Sequence, residues 1–365
     1  MIPVYQPLFE DDDKKAMFNA IESGWISSLG SFVDTFEQKF AEYVGTSNAI
    51  CTSNGTTALH LVLDSLGIGP GDEVIVPDLT FIATANAVKY TGAEVVTCDV
   101  DPNYLTICTK DLKTKISKKT KAIIPVHLYG HPADMDEIIK ISKQYKLYVI
   151  EDAAEAHGAT YNGKRVGSFG IAAAFSFYGN KIITTGEGGM ITSNSDLLSE
   201  KMRLKRDHAM SKEKRYFHET VGFNYRMTNV QASLGCSQLA KIEKIILRKR
   251  EIFSIYSSLL NLDKSISLNK QAKNAESVFW LINLHTTLRK DQIEKIQASL
   301  KKKGIDTRPF FVPISLNPPY KHLKDCLHSR RIYESSFSLP SGPTLSNQQI
   351  EYVALNVNEI LKNVS

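Results

Sequence analysis

Between Ala49 and Glu151 short β-rich apolar runs alternate with segments of helical periodicity, and this alternation limits the fold more than any other feature of the chain. The runs are Ala49-Ile50-Cys51, Glu73 to Pro77, Glu94 to Val100, Ala122 to Leu128 and Tyr148 to Glu151. Helices are expected between them: one opened by Ser53-Asn54-Gly55-Thr56-Thr57 and running through Leu66, one from Phe81 to Tyr90, and one from Met135 to Tyr145. Strands joined through helices pair in parallel, because the crossover returns the chain to the same edge of the sheet. The expected fold class is therefore α/β, with a mostly parallel sheet flanked by helices. In such sheets ligands collect beyond the carboxyl ends of the strands.

A length of 365 residues exceeds what one core usually organises, so a second, smaller domain is expected. Asp11 to Gly24 reads as a helix, with Ala16, Met17, Ala20 and Ile21 at helical spacing and Gly24 as its stop. Gly158 to Gly170 reads as a β-ribbon and Asp196 to Lys205 as a helix. From Asn229 one long helix is expected to run into the 250s. It becomes mixed in charge after Lys241, which sets the expected division into a large α/β domain, 1–245, and a small α+β domain, 246–365. In the latter, Val278 to Leu284 reads as a strand, and Asp291 to Lys302 and Gln348 to Leu361 as helices.

Composition excludes several classes of function. The net charge of +5 is spread along the chain, and Lys118-Lys119-Thr120-Lys121 and Lys301-Lys302-Lys303 read as solvated helix ends rather than nucleic-acid sites. The same modest balance suits a small anionic substrate. Five widely spaced cysteines without a CxxC pair point to a reducing compartment and away from a zinc site. The N-terminus lacks a secretory pattern, and no apolar run approaches the ~20 residues needed to span a bilayer. A soluble cytoplasmic protein is expected.

Three polar clusters fall at strand ends. Free N–H groups and the positive end of a helix dipole face the Ser53 to Thr57 loop, and its threonines add hydroxyl donors, which suits phosphate. Asp152 closes an apolar strand and needs a cationic partner if buried, although capping the next helix is also open to it. In the opening segment, Trp25-Ile26-Ser27-Ser28-Leu29-Gly30 joins an indole, two hydroxyls and a flexible backbone, suited to a ring and a phosphate or to covering a core edge. Further on, FSFYGNKIITTGEGGM sets Lys181 between the end of a strand and Gly186, Gly188 and Gly189, which let backbone approach something closely. Such a lysine is either a solvated charge or a nucleophile towards a carbonyl. Arg308, before a proline-fixed loop, is placed to hold a carboxylate or phosphate or to form an ion pair. A phosphate cup, a buried acid and a lysine answer together to pyridoxal phosphate, which presents a phosphate, a protonated pyridine nitrogen and an aldehyde.

The stretches SNGTTALHL, GDEVIVP, EDAAEAHGA, FSFYGNKIITTGEGGM and VGFNYRMTNVQA resemble motifs of the DegT/DnrJ/EryC1/StrS family of sugar aminotransferases, and the similarity covers nearly the whole chain. WISSLGSF, PVHLYGHPADM and GNKIITTGEGGM are similar to the branch that acts on GDP-4-keto-6-deoxymannose. The resemblance implies the fold type I architecture of pyridoxal phosphate enzymes: a seven-stranded, mostly parallel sheet with a smaller C-terminal domain, in a homodimer whose active sites lie at the subunit interface. It implies that Lys181 carries the cofactor as a Schiff base, that Asp152 pairs with the pyridinium nitrogen, and that Phe81 stacks on the ring. Glu155 lies where a side chain approaches the ring hydroxyl. Gly55, Thr56, Thr57 and Ser176 match the phosphate site, joined by Asn224 of the partner subunit. Trp25, Ser27 and Ser28 are expected to contact the sugar nucleotide, and Arg226 and Arg308 its diphosphate or the carboxylate of L-glutamate. His157 is expected to be packed and hydrogen-bonded, without a catalytic step.

The implied reaction is ping-pong, with L-glutamate leaving its amino group on the cofactor and a 4-keto-6-deoxy sugar nucleotide collecting it. The glycines after Lys181 are expected to admit backbone close to this bulky substrate. Three positions depart from the branch: Arg206-Asp207-His208-Ala209-Met210 replaces a Gly-Gln-Gly-Met run, Phe81 a tyrosine, and Ile171 an acid common in the family. A dehydratase of the same fold carries histidine where Lys181 stands, and a regulatory protein would need a DNA-reading module, of which no basic helix-turn-helix stretch is evident.

Overall fold

The apolar runs of the first half become strands of one sheet in a computed structural model that describes residues 1–363. These are β1 (Asn48–Thr52), β2 (Glu73–Pro77), β3 (Glu94–Cys98), β4 (Thr120–Ile123) and β5 (Tyr148–Asp152). After a ribbon of β6 (Thr160–Tyr161) and β7 (Lys164–Arg165), β8 (Ala172–Ser176) and β9 (Gly189–Ser193) complete it. The order across the sheet is β1-β9-β8-β5-β4-β2-β3, with parallel pairing from β8 to β3 and β9 antiparallel to both of its neighbours. Helices on both faces explain why the strands are apolar throughout instead of alternating: Val74, Ile75 and Val76 are wholly buried.

The helices of this part are α1 (Asp11–Glu22), α2 (Ser31–Val44), α3 (Gly55–Ser65), α4 (Ala83–Tyr90), α5 (Thr109–Lys115), α6 (Met135–Tyr145), α7 (Asp196–Arg206), α8 (Asn229–Ala240) and α9 (Ile242–Leu259). Two of them, α2 and α5, add to the sequence expectation. Val33, Phe36, Phe40 and Val44 form the buried face of α2, and Gly45 ends it in the left-handed conformation. Phe40 packs edge-on to Phe175 at 5.0 Å and Phe36 lies 5.1 Å from Phe177, so α2 clamps the strand that leads to Lys181. Each buried ring contributes about 1.5–3 kcal/mol.

Several element boundaries shift from expectation, and three of the differences have a visible physical cause. The long helix is two helices that meet at Lys241, whose φ of −113° and ψ of 9° leave the helical region. No proline or glycine forces this break. Lys241 Nζ is instead drawn 2.8 Å from Asp13 and 3.4 Å from Glu10 on the α1 side. The strand expected over Ala122 to Leu128 stops at Ile123, because Pro125 has no N–H for the ladder; Val126 rejoins by a single bridge to Asp152. The strand expected from Val278 starts only at Ile282, since the N–H groups of Val278 and Trp280 donate instead to Gly130 and Tyr129.

A second sheet, antiparallel and ordered β10-β12-β14-β13, is built from β10 (Ile266–Leu268), β12 (Ile282–Thr286), β13 (Arg308–Pro309) and β14 (Ser336–Leu339); β11 (Ala275–Glu276) pairs with the ribbon instead. With α10 (Lys290–Lys302), α11 (Leu327–Ser335) and α12 (Asn347–Lys362), this sheet completes the C-terminal part. Ile242, Ile245 and Ile246 of α9 belong to the core of the large sheet, whereas Ile252 and Tyr256 belong to the C-terminal core. The N-terminal segment also joins the two, for Ile2 pairs with Ile305, and Val4 accepts a hydrogen bond from the N–H of Ser341.

Candidate active site

Segments leaving the carboxyl ends of β1, β2, β5 and β8 line a cavity of about 660 Å³, and Trp280, Arg308 and Phe311 of the C-terminal part complete its wall. Gly55, Thr56, Thr57, Phe81, Asp152, Glu155, Ser176 and Lys181 all border it.

At the first of these ends α3 begins. Asn54 caps it, accepting the Thr57 N–H at 2.9 Å, while the Thr57 hydroxyl donates to the Asn54 carbonyl and accepts from the Asn54 N–H. Thr57 is thus occupied by the cap. Gly55 and Thr56 keep their N–H groups, and Thr56 its hydroxyl, without partners among the described residues, at the positive end of the helix dipole. Ser176 accepts from the Tyr178 N–H at 3.3 Å and retains its own proton for a ligand. A Cβ at Gly55 would lie 3.0 Å from that of Ser176, so any side chain there would crowd Ser176.

Asp152, at the end of β5, is 6% exposed. Its Oδ1 accepts the Ala154 N–H at 3.2 Å and its Oδ2 the Thr84 hydroxyl at 2.8 Å. No cation forms an ion pair with it among the described residues, and burial raises its pKa against the opposing pull of Thr84, Ala154 and Lys181. A carboxylate in this state is completed by a ligand cation.

Lys181 follows β8 through the Gly179-Asn180 turn. Its Nζ lies 3.6 Å from Glu155 Oε1 and 4.0 Å from the centre of the Trp280 ring, and its carbonyl accepts the Tyr5 hydroxyl at 2.7 Å. Burial lowers the lysine's pKa while Glu155 and Asp152 hold it up. Burial also pushes Glu155 up to about 7, although its Oε2 accepts the Tyr129 N–H at 2.8 Å. The site therefore holds an amine whose pKa burial lowers, a buried acid and an anion seat.

Two sequence readings need correction. The close neighbours of Gly188 and Gly189 are protein: a Cβ would stand 2.3 Å from the Thr185 hydroxyl in the first case and 2.4 Å from the Asn54 backbone in the second. The glycine run thus lets β9 pass beside the cap of α3. His157 is packed against Phe175 and Phe177, but neither ring nitrogen has a partner of good hydrogen-bond geometry among the described residues, and burial lowers its pKa to about 3 against the opposing pull of the Ser176 backbone.

Phe81 is half-exposed at the cavity, 5.6 Å from Phe311, and the Arg308 guanidinium has no partner among the described residues. Five expected residues lie away from the cavity within this chain. Arg226 forms an ion pair with Asp207 and donates to Asn224 at 2.8 Å. Trp25 and Ser27 are exposed, and their carbonyls accept from Asn229 at the start of α8; Ser28 sits in the same loop. Conversely, Tyr5, Thr84, Tyr129, Trp280 and Phe311 belong to the site without having been expected. Trp280 sits in an apolar run that reads as strand core, and nothing near Tyr5 in the sequence signals a lysine 176 residues away.

The chain matches the DegT/DnrJ/EryC1/StrS aminotransferase family over residues 7–358. It belongs to that family. GDP-perosamine synthase of Caulobacter vibrioides is 43% identical over 367 residues, covering 99% of this chain and 98% of that protein. GDP-perosamine synthase of Escherichia coli O157:H7 is 42% identical over 360 residues, covering 98% of each. Spr1654 of Streptococcus pneumoniae, solved in its PLP form, superposes with a TM-score of 0.95 at 26% identity, covering 100% of this chain and 99% of that one. The DegT/DnrJ/EryC1/StrS member described here is thus a fold type I aminotransferase whose cofactor is pyridoxal phosphate. The residues present fit that group: an unpaired buried carboxylate, an open helix N-terminus and a lysine of lowered pKa border one cavity.

Proposed function

We propose that this enzyme moves the amino group of L-glutamate to C4 of GDP-4-keto-6-deoxy-D-mannose, giving GDP-perosamine for O-antigen or another surface glycan. Near-full-length similarity to two proteins named GDP-perosamine synthase carries the choice of sugar. Pyridoxal phosphate, when bound, supplies the electron sink that stores the amino group between the two half-reactions. Asp152 keeps the ring nitrogen protonated, Gly55, Thr56 and Ser176 hold the phosphate with Thr57 shaping the cap, and Phe81 covers the ring. Lys181 would hold the cofactor covalently through its aldehyde and, once free, would carry the α-proton in both half-reactions. Glu155 faces the ring hydroxyl, and Arg308 takes the carboxylate of L-glutamate.

In this reading the protein is a cytoplasmic homodimer, divided at 245/246, and Asn224 reaches the partner's phosphate site. Trp25, Ser27, Ser28 and Arg226 serve the sugar nucleotide at the same interface. Their distance from the cavity of their own chain supports that assignment. Among the described residues no helix is long and apolar enough to cross a membrane.

The test is a panel of GDP-, dTDP- and UDP-linked 4-keto-6-deoxy sugars with L-glutamate, scored by mass spectrometry for the amino product. Amination of the GDP sugar is expected. Amination of only a dTDP or UDP sugar would reject the perosamine assignment.

A further inference from the structure

Two hydroxyls from another strand end hold Asp152. The loop after β2 and the first turn of α4 bring Thr80 and Thr84 to it, both buried, with their Oγ1 atoms 3.2 Å apart. Thr84 Oγ1 lies 2.8 Å from Asp152 Oδ2 and 3.3 Å from the Phe81 carbonyl. A hydroxyl has one proton to give and two lone pairs to accept with, so Thr84 donates to only one of these oxygens. When Asp152 is ionised the nearer, charged oxygen takes that proton, since a charge-assisted bond is the stronger. A lone pair of Thr84 then faces Thr80, whose hydroxyl has no other partner among the described residues. The order of donation is Thr80 to Thr84 to Asp152.

We propose that Thr84, oriented by Thr80, is a positioning residue that keeps the Asp152 carboxylate ionised and aimed at the ring nitrogen of the cofactor. The proposal rests on Asp152 meeting that nitrogen. Lys181 faces Asp152 from the segment after β8, His127 from the segment after β4 and Glu155 from three residues further along the Asp152 segment, but among the described residues Thr84 is the side chain hydrogen-bonded to it. The relay also joins the two groups that border the ring. The Thr84 N–H donates to the Phe81 carbonyl at 3.3 Å, so the half-turn that carries the Phe81 ring also carries the hydroxyl that grips the acid. The face of the ring that Phe81 would cover and the edge that Asp152 would meet are then set by the same few residues.

The test uses full-length Thr84→Val, Thr84→Ser, Thr80→Val, Asp152→Asn and the double variant Thr84→Val/Asp152→Asn, each freed of cofactor, checked for an unchanged Tm and titrated with pyridoxal phosphate. The pH midpoint of the bound cofactor's absorbance is followed in parallel. Thr84→Val is expected to bind about ten- to a hundredfold more weakly and to shift the midpoint, as loss of a hydrogen bond to a charged group requires. Thr84→Ser restores both, Thr80→Val falls between, and Thr84→Val adds little once Asp152 is asparagine. Wild-type binding and midpoint in Thr84→Val, with Asp152→Asn weakened, overturn the relay and leave the role of Asp152 standing. Unchanged binding in Asp152→Asn overturns that role and the relay with it. Should Thr84→Val melt early, Thr80→Val decides: wild-type binding and midpoint there reject the relay.

Discussion

Lys181 Nζ stands 3.6 Å from Glu155 Oε1 within a site where the two side chains are 12% and 4% exposed. Burial works on them in opposite directions, lowering the pKa of the amine and raising that of the acid. Each shift favours the neutral form of its group, which suits the nucleophile and base proposed for Lys181.

Glu155 has a measurable signature in stability. Its folded pKa, about 7, lies above the ordinary value of 4.5, so the folded state binds the extra proton between those pH values. This contribution is fully present below pH 4.5 and is lost as pH rises to about 7. In cofactor-free protein the unfolding free energy of wild type should fall relative to Glu155→Gln across that window, by on the order of 1–3 kcal/mol. Parallel pH profiles from urea melts of the two proteins would reject the assignment.

Replacement of Lys181 by alanine should lower turnover by about 10⁴-fold or more, because both half-reactions lose their base and anchor. Cofactor should still bind, but without a covalent link. Mass spectrometry after hydride reduction is expected to find one added cofactor per chain in wild type and none in the variant.

Trp280 braces the turn that carries Lys181, since its Nε1–H donates to the Asn180 carbonyl at 2.6 Å. Trp280→Phe keeps a ring beside the ammonium but loses that bond, and should cost about 1 kcal/mol in denaturant melts. Trp280→Ala empties a buried site and should cost about 3–5 kcal/mol. Loss of activity in Trp280→Phe without loss of stability would show that the turn's position, rather than its strength, matters.

Arg308 borders the cavity with an unpartnered guanidinium, which suits a planar carboxylate. Arg308→Gln should raise KM for L-glutamate by about ten- to a hundredfold with little change for the sugar nucleotide. Steady-state kinetics with each substrate varied in turn decide the matter. The opposite pattern would place the diphosphate on Arg308.

Much of the fold was legible because strands buried on both faces have apolar runs with no competing period; β2 and α6 match their expected ends residue for residue. The site's position was legible where one motif carries its residues together, as around Lys181 and in the cup before α3, which border one cavity. What escaped depends on contacts across the chain. The reversal of β9 relies on Gly189 passing Asn54, 135 positions earlier in the sequence, and the break at Lys241 on acids near the N-terminus. The two-residue strand β13 is too short to show any period. Thr84 reads as an ordinary residue in the first turn of α4, and only the approach of Asp152 gives its hydroxyl a purpose.

The first five residues add a constraint on when the enzyme can become active. Ile2 hydrogen-bonds to Gly304 and Asp306, Val4 to Ser341, and Tyr5 to the backbone of Lys181. A growing chain makes these residues long before Gly304, Asp306 and Ser341, which hydrogen-bond to Ile2 and Val4. The large sheet has all its strands once Ser193 is synthesised, but the backbone beside Tyr5 gains its last partner only after Ser341 has joined the chain. A nascent or truncated chain therefore lacks the contacts that seat Tyr5 against the Lys181 carbonyl until the C-terminal wall of the cavity exists.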